Sequence, residues 1–153
     1  LCTPTWLNPD VEDRFVYVIA HEFVHVQQVT AMVDDPTPTV LEGALVEGAA
    51  DFIGELTAGG VSYAYLAAMT KGREKDIETA FVRDLDSRDV STWLYNSTAD
   101  APNDLGYWVG YRIVKAFYQR AADKRAAVRE ILQMRDPQAF LANSGWSPGM
   151  ALP

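Results

Sequence analysis

His21-Glu22-Phe23-Val24-His25 contains both histidines of this 153-residue chain. The pattern is H-E-x-x-H. On a helix, residues i and i+4 share one face, one turn apart, so both imidazoles can reach one ion. Zinc takes imidazole nitrogen at about 2.0–2.1 Å, and where it does chemistry it keeps three protein ligands and an open position for water. Glu22 lies between the histidines, where a carboxylate can act as general base toward that water. On an apolar helix face its charge would otherwise be costly to bury.

The third ligand has to be a carboxylate, because no other histidine exists and the single cysteine is Cys2, near the chain start. Asp34, Asp35, Glu42, Glu47, Asp51 and Glu55 are the candidates that follow. Glu47 is preferred. It comes 47 − 25 = 22 residues after His25, enough for a turn and a return on a second helix. Asp51 stands at i+4 on the same helical face. A metal-bound imidazole usually donates its other N–H to a carboxylate or carbonyl, and Asp51 is expected to accept from one of the histidines. The competing reading is two unrelated histidines and two solvent-facing acids. The joint spacing favours one Zn2+ per chain.

His21-Glu22-x-x-His25 followed by Glu47-x-x-x-Asp51 resembles the gluzincin pattern of thermolysin-type zinc peptidases. More closely, His21 to Gln28, Glu47-Gly48-Ala49-Ala50-Asp51-Phe52 and Gly106-Tyr107-x-x-Gly110-Tyr111 resemble a poorly characterised group of predicted bacterial zinc-dependent proteases. The resemblance implies that Glu47 is the third ligand and that Asp51 supports His21. It implies hydrolysis of peptide or protein substrates by a metal-activated water, with Glu22 as base. Such peptidases commonly use Tyr, His or Arg to donate to the oxyanion. No histidine is left for this, so Tyr111 is the first candidate and Tyr107 the second, at i and i+4 on one helix, with Arg112 behind them. Two other functions stay open: a non-catalytic zinc-holding binding or scaffold module, and a zinc hydrolase of a non-peptide amide or ester.

The elements that must position these residues read as helices. Asp10 is placed to cap a helix over about 11–32, with Glu12 and Asp13 in its first turn. Phe15, Val18, Ile19, Glu22, Val26 and Val29 recur on it at spacings of three and four. Further helices are expected over about 39–58, 62–70, 74–85, 104–122, 124–134 and 137–143, with a short helix or turn at 91–96 and a polar loop at 96–103. Gly43, Gly48 and Gly54 inside the second helix, and Gly106 and Gly110 inside the long later one, suggest close helix packing. Gln28, one turn after His25, is placed to line the cleft but reads rather as a packed or solvated amide, and Trp6, Trp93, Trp108 and Trp146 read as core or rim aromatics.

No period-two strand pattern appears. The expected class is mainly α: one zincin-like domain over 1–153, with the β-sheet that usually precedes the active-site helix absent or vestigial. Only about ten residues precede that helix, so an N-terminally truncated fragment is one explanation. The content of 48% apolar and 22% charged residues suits a folded core. A net charge of −8 disfavours nucleic acid and anionic lipid. No apolar run reaches the roughly 18–20 residues of a membrane span. One cysteine excludes an intrachain disulfide and a cysteine-based zinc site. Oligomeric state and compartment are open; an exported or cell-envelope location is expected if an upstream signal has been removed.

Overall fold

The computed structural model describes residues 9–96 and 103–152, with side chains from Arg14 onward. Cys2, Trp6 and most of the 96–103 loop fall outside that range, as do the side chains of Asp10, Glu12 and Asp13, the first of them expected as a cap. Among the described residues there are eight helices and no strand, so the chain is mainly α. They are α1 (Pro9–His25), α2 (Thr30–Val33), α3 (Val40–Ala58), α4 (Tyr65–Thr70), α5 (Glu74–Asp84), α6 (Leu105–Arg120), α7 (Lys124–Leu132) and α8 (Pro137–Ser144).

The core is organised around α3, whose residues from Val40 to Gly54 are buried on nearly every side. A helix that is apolar all round belongs in an interior. Its start is a capping box: Glu42 N–H donates to Thr39 Oγ1, and Thr39 N–H donates to the Glu42 carboxylate. Its end is Gly59 in the left-handed region, at φ 85°. α3 packs against α6 and α1. At the α3–α6 crossing the backbones touch. A Cβ on Gly48 would lie 2.1 Å from the Gly110 carbonyl carbon, and one on Gly110 would lie 1.7 Å from the Ala44 oxygen. The glycine pattern in the sequence is thus a packing feature.

α1 departs from expectation twice. It ends at His25, not near residue 32. Gln27 N–H reaches back three residues to the Val24 carbonyl, Val29 is extended, and the short α2 follows. Within this break the Gln28 amide donates to the Val46 carbonyl of α3 at 2.8 Å. That contact is tertiary and leaves no trace in helical periodicity. The expected apolar face is also turned outward: Phe15 is 64% and Val26 75% exposed, with Val18 and Ile19 also exposed. α1 instead buries His21 and Val24. The polar groups of α3 draw the histidine side inward, and the apolar stripe lies on other faces.

The remaining boundaries follow the sequence. Asp123 and Asp136 cap α7 and α8, with Pro137 in the first turn of α8. Asp104 precedes α6 but does not cap it with its side chain; its carboxylate accepts from Asn96 N–H at 3.0 Å. Trp93, Trp108 and Trp146 are buried. No described helix is long and apolar enough to cross a membrane.

Candidate metal centre

α1 and α3 bring together the four residues that the spacing singled out. His21 is 4% exposed, Glu47 7% and Asp51 2%, and His25 is half-buried. His21 Nδ1 lies 2.9 Å from Asp51 Oδ1, which also accepts from the Ser62 hydroxyl. His25 Nδ1 lies 2.7 Å from Gln28 Oε1. A carboxylate and an amide oxygen only accept, so each Nδ1 carries the proton. Each Nε2 then presents a lone pair to the interior of the cluster.

Those lone pairs converge. His21 Nε2 and His25 Nε2 are 3.1 Å apart, and Glu47 Oε2 lies 3.1 Å from the first and 3.4 Å from the second. Three acceptors at such range repel one another unless a proton or a cation sits among them. A tetrahedral zinc with bonds of about 2.0–2.1 Å separates its ligand atoms by about 3.3 Å. The observed spacing fits that ion, and His21, His25 and Glu47 form a group able to hold a metal. Without a metal a proton takes the place. Burial works against charge on His21, but its bonds to Asp51 and Glu47 outweigh burial and raise its pKa to about 9. Burial likewise opposes the charge of Glu47, yet the histidines and Tyr95 hold its carboxyl down at about 2.

Glu22 is exposed, and it lines one cleft of about 410 Å³ with His25, Glu47, Tyr95 and Tyr107. Tyr107 is buried. Its ring stacks 6.2 Å from that of His21 and lies 4.4 Å from that of Tyr63. Burial, and next to it the charge of Glu47, pushes its hydroxyl far above the ordinary phenol range. Tyr111 is placed elsewhere. Its hydroxyl donates to Glu55 Oε2 at 2.7 Å, accepts from Lys115 Nζ, and faces a separate cavity of about 300 Å³. Tyr107 and Tyr111 share a helical face, yet one turn is about 5.4 Å of rise, and it carries Tyr111 past Glu47 to Glu55. Arg112 is also engaged elsewhere, with Glu78 and the Met150 carbonyl.

Two further residues support the cluster in ways that spacing does not reveal. Gln28 orients His25 while bonding to α3. Its position one turn after His25 was the available signal. Tyr95 donates its hydroxyl to Glu47 Oε1 at 2.8 Å, so both oxygens of that carboxylate are engaged. Tyr95 has φ 55°, a left-handed conformation uncommon for a bulky residue. A paired neck holds it there: Asn96 N–H donates to Asp104, Asp104 N–H donates to Asn96, and Gly106 N–H donates to the Trp93 carbonyl. No local signal marks Tyr95, which lies far from Glu47 along the chain.

No curated protein and no solved structure matches the chain. The family described as "Predicted Zn-dependent protease (DUF2268)" matches residues 5–139, a span that includes both histidines, Glu22, Glu47, Asp51, Tyr95 and Tyr107. With its convergent histidines and glutamate inside that span, the chain belongs to this family of predicted Zn-dependent proteases.

Proposed function

We propose that the chain hydrolyses peptide bonds as a gluzincin-type peptidase, with one zinc held by His21, His25 and Glu47 and with Glu22 as general base. The observation that carries this reading is the convergence of His21 Nε2, His25 Nε2 and Glu47 Oε2 at 3.1–3.4 Å, beside a cleft that Glu22 also lines. Zinc bound there supplies Lewis-acid chemistry, polarising the scissile carbonyl and bringing the pKa of a water toward about 7.

The chain's own groups do the rest. Glu22 takes the proton of the attacking water and hands it to the leaving amine. Asp51 and Gln28 hold the two imidazoles in the tautomer that leaves Nε2 free. The phenol of Tyr95, which donates to Glu47 Oε1 before reaction, turns that hydrogen bond to the developing oxyanion; it is 64% exposed and reaches the cleft. Tyr107, whose ring packs against those of His21 and Tyr63, braces the cluster at the wall of the cleft. Tyr111 has no part in these steps, since its hydroxyl bonds Glu55 in the separate cavity and does not line the cleft that holds Glu22, His25 and Glu47.

The test is zinc analysis and peptide digestion on one preparation, stripped by chelator and reloaded. One zinc per chain is expected, with cleavage of an unstructured protein substrate. Glu22→Gln should keep the zinc and lose turnover by roughly 10²–10⁴-fold. Undiminished turnover in that variant removes the general-base role, and a reloaded protein without stoichiometric zinc removes the whole reading.

A further inference from the structure

The cleft beside the metal cluster has a second part. Met32, Val33, Pro38 and Val46 give it an apolar wall, and Asp35 lines it too. Asp35 is half-buried in the turn between α2 and α3. Its Oδ1 accepts from Thr37 N–H at 2.9 Å, which fixes the carboxylate in place. Among the described residues Oδ2 has no hydrogen-bond partner. The other two carboxylates of the cleft are already engaged: Glu47 with the histidines and Tyr95, Glu22 as the proposed base. Among the described residues that line the cleft there is no lysine or arginine.

We infer that this cleft selects a polypeptide segment with a lysine or arginine next to the scissile bond, its charged end on Asp35 and its stem on the apolar wall. The inference rests on the peptidase reading. Lysine and arginine have the right two-part chemistry, since their methylene stems cover apolar surface while the head keeps a polar partner. An apolar side chain would fill the wall but leave Asp35 partly desolvated and unpaired. An acidic side chain would meet Asp35 and Glu22 with like charge. The net charge of −8 adds long-range attraction for cationic segments.

Two measurements on zinc-loaded protein test this. In the first, a peptide library is digested and the residues flanking each cut are read by mass spectrometry. Lysine and arginine should be enriched at one fixed position beside the cut. Asp35→Asn keeps an oxygen for Thr37 N–H, and it should lower the ratio of kcat/KM for a lysyl peptide over its norleucyl analogue roughly tenfold. Asp35→Lys should turn the preference toward Asp and Glu. The second measurement is equilibrium binding of the same two peptides to Glu22→Gln, which needs no turnover. Tighter lysyl binding that Asp35→Asn removes supports the site even if the wild type cleaves nothing, an outcome that overturns the peptidase reading alone. Cleavage without a basic preference, or equal binding of the two peptides, overturns the inference and leaves the peptidase reading standing.

Discussion

Two buried glutamates show what separates a structural ion pair from a site. Glu78 on α5 is fully buried. One oxygen accepts from Arg112 and from Trp146 Nε1, the other from Gly149 N–H. Arg112 also donates to the Met150 carbonyl and lies 4.9 Å from the Trp108 ring. Its cation is built into the chain, so the cluster is closed and its work is to tie the C-terminal segment to α5 and α6. Glu47 on α3 is nearly as buried, but its neighbours are two imidazoles whose inward nitrogens are acceptors. That cluster has no permanent cation, because a histidine gives up its extra proton when a metal binds, and it borders a cleft. A buried carboxylate surrounded by donors and a permanent charge is complete, whereas one that shares its centre with other acceptors calls for an ion from outside.

This contrast can be broken by experiment. Glu47→Ala should have the largest effect. Zinc affinity should fall by more than the roughly 10–100-fold that loss of an outer partner costs, and the zinc-dependent rise in Tm should vanish. A variant that still takes up zinc at wild-type affinity would show that the cluster is not the site. Arg112→Met should act on folding instead, because it strands the Glu78 charge. Urea denaturation should show a loss of about 3–5 kcal/mol, with zinc still bound to the folded fraction. If zinc binding fell and stability did not, the roles of the two clusters would be reversed.

Tyr95→Phe sharpens the contrast within the open cluster. Peptide turnover should drop by roughly 10²–10³-fold with zinc content unchanged, and Tyr111→Phe should change turnover little. The opposite order of effects in steady-state kinetics would restore Tyr111 to the site. Asp51→Asn should have the smallest effect of the changes made within the cluster itself, raising the zinc Kd roughly 10–100-fold in a competition titration. Asparagine still offers an oxygen to His21 Nδ1 but without the charge.

Helix existence was largely legible in the residues. Asp123, Asp136-Pro137 and Gly59 mark helix ends by local chemistry, and the structure places caps at each of them. The end of α1 was not legible: the turn that follows it carries Gln28, whose amide bonds the Val46 carbonyl of α3, and such a tertiary contact has no local signature. Nor was the outward face of α1 readable. Periodicity identifies a stripe of apolar residues, but the position of α3 determines which stripe is buried. Among the site residues, His21, His25, Glu47 and Asp51 could be read from spacing because i, i+4 pairs on two helices carry their geometry with them.

The amino-acid sequence by itself determined the donor set: two histidines, a glutamate between them, and an acid pair one turn apart. Helical geometry alone puts each pair on a common face, so no tertiary information was needed. The tertiary structure alone decided which tyrosine reaches the ligands. Tyr107 and Tyr111 are equivalent by helical position, and only the crossing at Gly48 and Gly110 sets one against His21 and the other against Glu55. Tyr95 comes to Glu47 through a left-handed turn held by Asn96 and Asp104. Such contacts depend on how far one backbone lies from another, a distance that no local pattern encodes.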